Sequence, residues 1–439
     1  MKTRYLLSFI VLSVICCLGL FYQPAELPLN LEDKVNPADI AWMLTAAGLV
    51  LLMTPGLSFF YGGMVSKKNI ISTMLQSFIA LGVITVLYVF VGFSLCFGDS
   101  YYGLIGNPFQ FFMFRNVGLN SHPLLSPSIP LLLFAIFQLK FAIITPALIT
   151  GSFAERVKFN AYLVFISLFS IFIYCPLAHW TWHPDGFLHK LGVLDFAGGT
   201  VVHMSAGYAA LAGAMILGPR TSFGDSKHTE PANIPFVILG TGMLWFGWFG
   251  FNAGSSLGAN TTAVLAFATT IIASAAAMMT WIFFDAVRGK KVSAMGACIG
   301  AVVGLVAITP AAGYVSISHA LFIGFAASII SNLAVRAKNK SNLDDTLDVF
   351  PCHGVGGIVG MILTGVFAKN VGLYYGHTET FLYHMLALLI VSIFTFGGSY
   401  ILYKITEMIV PLRVSVQEEV EGLDFSQHGE TYKLKKPGV

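Results

Sequence analysis

Two histidines in apolar, glycine-rich sequence are the residues of this chain best suited to chemistry. His203 ends the run Asp195-Phe-Ala-Gly-Gly-Thr-Val-Val-His203, and His353 lies in Asp348-Val-Phe-Pro-Cys-His353-Gly-Val-Gly-Gly. Each histidine lies near the start of a long apolar segment, with an acid a few residues upstream. Because an ionisable side chain inside a bilayer costs free energy, such a histidine usually faces a cavity, a partner residue or a transport pathway. The two together indicate one shared pore.

The residue pattern leaves three interpretations of the histidine pair open. Each ring could be a buried structural histidine that is hydrogen-bonded to the backbone. A pair on facing helices could ligate haem or a metal ion. A neutral pair bonded to each other could line a narrow pore and offer polar contacts to a small molecule. The glycine-rich surroundings favour the pore, because a macrocycle needs room that close glycine packing denies.

Asp195 lies upstream of His203 at a distance of roughly 12 Å if the intervening residues are helical. Its carboxylate could cap the N-terminus of the apolar segment by accepting otherwise unpaired backbone N–H bonds. Its negative charge would also attract cations to the outer mouth of a pore. Capping alone and capping combined with attraction both remain open.

Aromatic and hydroxyl side chains recur near the outer ends of several apolar segments. Phe137 and Phe141 are four residues apart, as are Phe251 and Ser255, so each pair lies on one helical face. Trp182 shortly precedes the acid of the first motif. An aromatic face holds a cation through its quadrupole, and a serine hydroxyl accepts an N–H bond. Ordinary anchoring at the membrane interface accounts for most other aromatic residues of the chain.

The composition is that of a polytopic membrane protein. The chain is 56% hydrophobic and 10% charged, with a mean hydropathy of +0.78. A soluble domain carries roughly a quarter charged residues, so water-soluble classes and nucleic-acid binding are excluded. The six cysteines show neither CxxC nor zinc-ligand spacing, which argues against a metal cluster or a disulfide framework and leaves only a Cys96–Cys175 bridge open.

Eleven apolar segments predict an all-α fold with eleven transmembrane helices. The segments starting near 294 and 353 are short and glycine-rich, which favours packing inside the bundle. The segments cover about 38–61, 70–97, 129–153, 159–180, 200–218, 233–253, 260–285, 294–309, 315–336, 353–368 and 379–410.

The N-terminus predicts a signal peptide over residues 1–25. Lys2 and Arg4 precede an apolar run from Leu6 to Leu20, and Ala25 offers a weak cleavage site. The alternative is an uncleaved extra helix, which is disfavoured because the run is short for a span of about 20 residues.

Charged loops predict the orientation. Seventeen Lys and Arg residues lie in loops after odd-numbered segments, at the end of the last segment and in the tail, against four in loops on the opposite side. Positively charged loops stay in the cytoplasm, so the mature N-terminus is expected outside and the tail inside.

The eleven segments divide into five, five and one. A repeat with an odd number of spans inverts in the membrane, and transporters of this plan place their site at the repeat interface. The repeats would cover about 38–218 and 233–368 within a transmembrane domain of 38–410, with 379–410 as the last helix. His203 and His353 then begin the fifth helix of each half. The loop at 98–128 is expected to be an outer cap, and the tail 411–439 either is disordered or docks on neighbouring loops.

Several stretches resemble signatures of the ammonium transporter family (Amt/Mep/Rh), on its bacterial Amt branch. The similarity runs from about residue 38 to the tail. The stretches are Met53-Thr-Pro-Gly-Leu-Ser-Phe-Phe-Tyr-Gly-Gly63, Phe137-Gln-Leu-Lys-Phe-Ala-Ile-Ile-Thr-Pro-Ala-Leu-Ile-Thr-Gly151 with Ala154-Glu-Arg156, Asp195 to His203, Gly247-Trp-Phe-Gly-Phe-Asn-Ala-Gly-Ser255, and Asp348 to Gly357.

The resemblance implies a site and an assembly. It implies ammonium recruitment by Trp182, Phe141 and Ser255 with Asp195 in support, a gate of Phe141 and Phe251, and a pore lined by His203 and His353. It also implies an eleven-helix homotrimer in the inner membrane, with one pore per subunit. Ammonium or ammonia, with methylammonium as an analogue, would be the substrate, and no cofactor or enzymatic activity is implied. The tail 411–439 resembles the family's cytoplasmic regulatory region, on which PII-type proteins act in many members.

Two residues depart from the family pattern. Asp185 follows Trp182 where many members have glycines, so it is expected to add negative charge at the mouth. Lys140 lies beside Phe141, and we expect it at a helix seam or snorkelling outward. A transporter-like sensor, a haem-binding redox protein and the Rh branch are the alternatives, the last disfavoured by Trp182 and Ser255.

Overall fold

Long apolar helices build the fold, and they lie where apolar segments were predicted. The structure, a computed structural model, describes residues 5–21, 35–224 and 230–432. Each of the eleven predicted segments corresponds to a helix, with ends within three residues except at the end of α5. The twelve longest helices of the described residues are α1 (Leu6–Phe21), α2 (Pro37–Met64), α3 (Ile70–Phe97), α4 (Leu131–Ser152), α5 (Phe159–Lys190), α6 (Gly199–Leu217), α7 (Ile234–Gly254), α8 (Thr261–Val287), α9 (Ala294–Ile308), α10 (Ile317–Asn339), α11 (Phe350–Phe367) and α12 (Glu379–Ile409).

Ten of these helices are long and apolar enough to cross a membrane, and α1 and α9 are shorter. The 15 residues of α9 span about 22 Å, less than the roughly 30 Å of a bilayer's hydrocarbon core. As predicted for a glycine-rich segment, α9 is buried inside the bundle. A Cβ on Gly304 would lie 2.6 Å from the carbonyl oxygen of Ala273 in α8. The predicted cleavage site at Ala25 lies outside the described residues.

Short polar side chains begin several helices by accepting backbone N–H bonds that have no partner inside the helix. Asn36 caps α2, Asn233 caps α7, Asn260 caps α8, Ser293 caps α9 and Ser316 caps α10. The caps explain why the apolar segments start so close to their predicted positions.

The residues between α3 and α4 form a cap on one face of the bundle, which we call the loop face. They contain two antiparallel pairs, β1 (Ser100–Tyr101) with β2 (Ile105–Gly106), and β3 (Ser121–His122) with β4 (Ser126–Pro130). The Trp180 indole of α5 donates to the carbonyl of Leu104 at 2.7 Å, which holds the cap against the bundle. Cys96 and Cys175, the pair left open as a bridge, are free thiols.

The tail docks on the opposite face, which we call the tail face. Its helices are α13 (Val416–Glu421) and α14 (Leu423–His428). The Asp424 carboxylate accepts the backbone N–H of Ser72 at 2.7 Å and so caps the first turn of α3. Lys68 donates to the carbonyls of Glu419 and Val420 at 3.1 and 2.7 Å. Of the two alternatives for the tail, docking on loops is therefore correct up to residue 432, and residues 433–439 lie outside the described part.

Buried charges join three loops of the tail face. Arg156 is fully buried and donates to the carbonyls of Ser152 and Gly218 at 3.1 and 2.8 Å. Arg220 pairs with Glu155 at 2.7 Å and with Asp344 at 2.8 Å. The loops after α4, α6 and α10 are thus fixed to one another beneath the bundle.

Candidate functional site

A cavity of about 330 Å³ opens on the loop face, and the predicted recruitment residues line it. They come from four different helices or loops: Phe141 in α4, Trp182 in α5, Asp195 just before α6, and Ser255 just after α7. Residues of the cap, including Leu125, close its side. Positions separated by up to 114 residues in the sequence therefore meet in one recess.

Aromatic rings and a hydroxyl shape the base of this cavity. The rings of Phe141 and Trp182 meet edge to face, with centroids 5.6 Å apart. The Trp182 indole donates to the carbonyl of Asp195 at 3.1 Å, which fixes the ring. The Ser255 hydroxyl donates to the carbonyl of Phe251 at 2.9 Å, so its oxygen lone pairs are available to accept a bond from a cation.

The Asp195 carboxylate is held by four donors. One oxygen accepts the N–H groups of Gly198 and Gly199 at 2.8 and 2.6 Å. The other accepts the N–H and the hydroxyl of Thr200 at 2.7 and 2.5 Å. Gly198 has a φ of +121°, a conformation that L side chains rarely adopt, and this turn aims the N–H groups at the carboxylate. Asp195 therefore caps α6 and also lines the cavity.

Two phenylalanine rings close the cavity floor. Phe141 and Phe251 lie with centroids 4.3 Å apart at 37°, and both are at most 1% exposed. Beyond them, the Phe251 ring stacks on His203 with centroids 6.0 Å apart. These two rings lie in contact between the cavity, which Phe141 lines, and His203.

The two predicted histidines meet in the core. The Nδ1 atoms of His203 and His353 lie 3.4 Å apart. Each histidine stands in a widened π-helical turn, Gly199–Met204 at the start of α6 and Phe350–Gly354 at the start of α11. Such turns are frequent at functional sites.

Glycine contact lets these two helices cross. A Cβ on Gly207 would lie 2.3 Å from the Cα of Gly354. A Cβ on Gly357 would lie 3.0 Å from the carbonyl oxygen of Gly199. Any larger side chain would hold the helices, and hence the imidazole rings, apart.

Two residues that the sequence analysis missed complete the contacts of His203. Trp248 stacks on the His203 ring and donates its indole N–H to Thr309 Oγ1 at 2.9 Å. His203 Nε2 lies 3.3 Å from the same oxygen. Trp248 could have been found, because it precedes Phe251 by three residues and shares its helical face. Thr309 carries no sequence signal, since it ends a short apolar helix.

The Thr309 hydroxyl indicates the tautomers. It donates to the carbonyl of Leu305 at 2.8 Å, so it accepts from Trp248 and from His203 Nε2–H. Neutral His203 then accepts at Nδ1 from His353 Nδ1–H, and His353 Nε2 keeps its lone pair. Thr309, His203 and His353 therefore form a chain of polar contacts, and His353 is the end of that chain on the side of the tail face.

The space beyond the histidines is narrow. His353, Tyr61 and Cys352 line a cavity of only about 10 Å³ on the side of the tail face. The direct contact of the two Nδ1 atoms and this small volume leave no room for a haem macrocycle between the rings. The geometry therefore fits a narrow passage and does not fit the redox alternative.

The two residues that depart from the family pattern lie outside the cavity lining. Lys140 is half-buried and lines neither of these cavities, in keeping with the expected seam or snorkelling position. Asp185 pairs with Lys190 at 2.7 Å on the surface. Its charge is therefore paired with the neighbouring ammonium group of Lys190, and the contribution of Asp185 at the mouth stays a prediction.

Buried carboxylates lie on the tail-face side of His353. Asp345 accepts the N–H of Phe350 at 2.8 Å with one oxygen, and its Oδ1 has no hydrogen-bond partner among the described residues. Burial, together with the charge of Asp348, raises the pKa of Asp345 to about 6. Burial alone would raise the pKa of Asp344 as well, but its bonds to Arg220 lower that pKa below the usual range.

The two carboxylates predict opposite pH effects on stability. A raised pKa favours the protonated folded state, so the Asp345 contribution, about 3 kcal/mol at most, is present below pH of about 4 and lost as pH rises through about 6. Asp345→Asn is therefore expected to gain thermal stability relative to the parent as pH rises from about 4 to 7. Asp344→Asn, the matched control, should be less stable than the parent by a nearly constant amount over the same range, because the lowered pKa of Asp344 keeps its ion pair with Arg220 formed down to about pH 4 and the contribution is lost only at lower pH. Thermal unfolding in detergent at a series of pH values measures both, and parallel curves for Asp345→Asn and the parent would contradict the prediction.

Comparisons with known proteins identify the family. The sequence model described as Ammonium Transporter Family matches residues 41–433. An ammonium transporter of Aquifex aeolicus is 47% identical over 409 residues, which cover 91% of this chain and 94% of that protein. An ammonium transporter of Bacillus subtilis is 40% identical over 89% of this chain and 97% of that protein.

Solved structures share the fold. Mep2 of Saccharomyces cerevisiae superposes with a TM-score of 0.82 at 35% identity, covering 88% of this chain and 89% of that one. A structure titled Sensor Amt Protein superposes with a TM-score of 0.82 at 30% identity, covering 89% and 98%. With this similarity along nearly its whole length, the chain belongs to the ammonium transporter family, on the bacterial Amt branch.

Proposed function

We propose that this protein transports ammonium across the cytoplasmic (inner) membrane. It recruits ammonium at the loop face, releases its proton above the gate of Phe141 and Phe251, and conducts ammonia past His203 and His353. The observation that carries the proposal is the continuous series of contacts from the Trp182 and Phe141 rings through Phe251 to the histidine pair. The family is one of transporters and channels, so the proposal includes no enzymatic reaction and no cofactor.

The recruitment step follows from the chemistry of the cavity. The π faces of Trp182 and Phe141 attract a cation within about 6 Å of a ring centroid. The Ser255 oxygen accepts one ammonium N–H bond, and the nearby Asp195 carboxylate supplies negative potential. A hydrated metal cation would gain less from rings and a hydroxyl, because neither replaces a full hydration shell.

The transit step follows from the cost of charge in an apolar passage. A bare ammonium ion between two buried phenylalanine rings would lose its hydration, whereas neutral ammonia loses only a few hydrogen bonds. Deprotonation above the gate therefore precedes transit. The neutral histidines then provide polar contacts that offset part of the desolvation of ammonia.

The membrane arrangement is part of the proposal. It comprises the eleven spans with α9 included, inverted repeats over 38–218 and 233–368, a last helix over 379–410, and a homotrimer with one pore per subunit. The signal peptide over 1–25 would be removed, leaving the N-terminus outside and the tail in the cytoplasm. The matching π-helical turns of α6 and α11, each with its histidine, support the internal symmetry.

The docked tail supports a regulatory role for residues 411–439. Asp424 attaches the tail to the first turn of α3, and Lys68 attaches it to the loop after α2. Glu419 accepts the N–H of Thr221 at 2.6 Å in the loop after α6. A PII-type protein on the tail face would contact the same loops. The tail would then report partner binding to the helices that surround the pore.

Electrical recording from proteoliposomes tests the transport proposal. An ammonium pulse is expected to produce a current in the parent that a His203→Ala/His353→Ala variant loses or alters. A parent that conducts without current should still change the internal pH of the liposomes, which indicates electroneutral ammonia conduction. Ammonium binding with neither a current nor a pH change would favour the second candidate function, an ammonium sensor. The structural similarity to the Sensor Amt Protein is the observation that favours this candidate.

A further inference from the structure

A buried histidine of α12 contacts the loop that carries Asp195. His384 lies near the start of α12 and is 0% exposed. Its Nε2 accepts the backbone N–H of Leu194 at 3.0 Å, and its Nδ1 lies 2.8 Å from the carbonyl oxygen of Met361 in α11. Because the ring is buried within a single chain, these contacts do not depend on how copies of the chain assemble.

The two partners fix the protonation of this ring. A carbonyl oxygen only accepts, so Nδ1 carries a hydrogen and donates it to Met361. A backbone N–H only donates, so Nε2 keeps its lone pair for Leu194. Both nitrogens of the neutral imidazole are therefore used, and the ring joins α11 and α12 to the loop before α6.

A glycine of α11 makes room for this connection. A Cβ on Gly365 would lie only 3.2 Å from both Cβ and Cγ of His384. With no side chain at that position, the histidine lies close against α11. Met361 is four residues earlier, about one helical turn, and its carbonyl is therefore within reach of Nδ1.

The bond from His384 lies between two other anchors of the same loop. The N–H of Val193 donates to the carbonyl of Leu188 at 3.1 Å, and the N–H of Phe196 donates to the carbonyl of Pro310 at 3.1 Å. Leu194 lies between these two residues, and both Leu194 and Phe196 line the recruitment cavity. The loop is thus held on both sides by backbone carbonyls and at Leu194 by a side chain.

The residue after Leu194 carries two parts of the recruitment site. The Asp195 carbonyl accepts the indole N–H of Trp182 at 3.1 Å, and the Asp195 side chain supplies the negative charge of the cavity wall. A backbone shift at Leu194 would therefore displace the carboxylate and the indole ring together. The attraction of a cation depends on its distance from both groups.

We propose that His384 is a positioning residue of the recruitment cavity: its bond to Leu194 sets the places of the Asp195 carboxylate and the Trp182 ring. The inference rests on the proposed function, since it assigns His384 to the recruitment step. A purely structural histidine would tie α11, α12 and the loop together without affecting how tightly a cation is held. The two roles differ in which of the two hydrogen bonds matters.

Three variants of the full chain separate these roles. His384→Phe keeps a buried ring and removes both polar atoms. His384→Gln places an amide oxygen near the position of Nε2, so it still accepts the N–H of Leu194. His384→Asn places its amide at the level of Nδ1, so it still donates to the carbonyl of Met361 but ends short of Leu194. The Gln and Asn variants each keep one bond and are matched controls for each other.

Methylammonium uptake into proteoliposomes gives KM and the maximal rate, and thermal unfolding in detergent gives the stability. We expect His384→Phe and His384→Asn to raise KM roughly fivefold, the lower end of the cost of an unpaired buried N–H expressed as a ratio, with a maximal rate near that of the parent. His384→Gln should keep KM within about twofold of the parent value. The Gln and Asn variants should unfold at similar temperatures, since each loses one bond.

Equal KM values for the Gln and Asn variants would overturn the proposal and leave His384 as a structural connection. A lower maximal rate with an unchanged KM would also overturn it, because the effect would then lie in the passage. Should His384→Phe fail to fold, the comparison of Gln with Asn still decides.

Calorimetric titration of the detergent-solubilised chain with methylammonium separates this inference from the transport proposal. A parent that binds without transporting contradicts transport, and a Kd raised by Asn but not by Gln would still support the role of His384. A parent that transports, with equal Kd and KM in the two variants, keeps the transport function and rejects the role of His384. A parent that neither binds nor transports overturns both.

Discussion

Asp195→Ala is expected to reduce methylammonium uptake roughly tenfold or more, and to lower thermal stability as well. The change leaves the N–H groups of Gly198, Gly199 and Thr200 and the Thr200 hydroxyl without their acceptor. Buried donors of this kind cost about 1–3 kcal/mol each, and water from the cavity would restore part of that, so a net loss of roughly 2–4 kcal/mol is expected. Because these residues begin α6, the loss falls on the turn that positions His203.

Uptake into proteoliposomes and thermal unfolding measure the two effects separately. Asp185→Ala is the matched control, since it removes a carboxylate from the same face that is exposed and paired with Lys190. Its stability should change by less than about 0.5 kcal/mol, as is usual for surface positions, and its uptake should match the parent. Asp195→Asn keeps one accepting oxygen and should fall between the two. Parent-like uptake by Asp195→Ala would remove Asp195 from the site.

His203→Ala is expected to lower methylammonium uptake by a comparable factor, with a smaller effect on stability. The ring bridges Thr309 and His353, so its loss leaves a neutral amine without a polar contact in an apolar passage. An unpaired polar group in such surroundings costs about 2 kcal/mol or more, which corresponds to more than about tenfold in rate. The loss should appear in the uptake rate at saturating substrate, since the recruitment cavity is unchanged.

His319→Ala provides the control for loss of an imidazole. That ring stacks on Phe367 with centroids 4.4 Å apart and lines neither the recruitment cavity nor the passage below the histidines. The His319→Ala variant should therefore transport like the parent, and it should lose about as much stability as His203→Ala. Equal uptake by His203→Ala and His319→Ala would mean that the histidine pair does not line the path.

Hydropathy was sufficient to place the helices, because the bilayer requires long apolar segments and tolerates few exceptions. The ends of α3, α6 and α9 were predicted within one residue. Only the structure showed that α9 is shorter than the hydrocarbon core of a bilayer is thick, because a helix buried in a bundle does not have to reach both membrane surfaces. The sequence also left undecided whether the tail is ordered. Its docking depends on the loop around Lys68, and no local sequence pattern identifies that loop as its partner.

The sequence identified most residues of the site, but it predicted their roles only in part. Local spacing placed Phe251 and Ser255 on one helical face and could have added Trp248, because a helix repeats its face every three to four residues. It could not decide whether Asp195 acts through capping alone. The four donors that surround the carboxylate show that it caps α6, and its place in the cavity wall supports the proposed attraction of cations.

By itself, the sequence determined the membrane class, the helix positions and the two histidine motifs, since these depend on composition and on neighbours within one or two turns. Tertiary structure alone decided that His203 and His353, 150 residues apart, meet at 3.4 Å. It also decided that Thr309 contacts His203 and that Asp185 pairs with Lys190. The physical reason is the crossing of α6 and α11, which the contact between Gly207 and Gly354 permits. A crossing depends on how two distant surfaces fit together, and no periodicity along one segment contains that information.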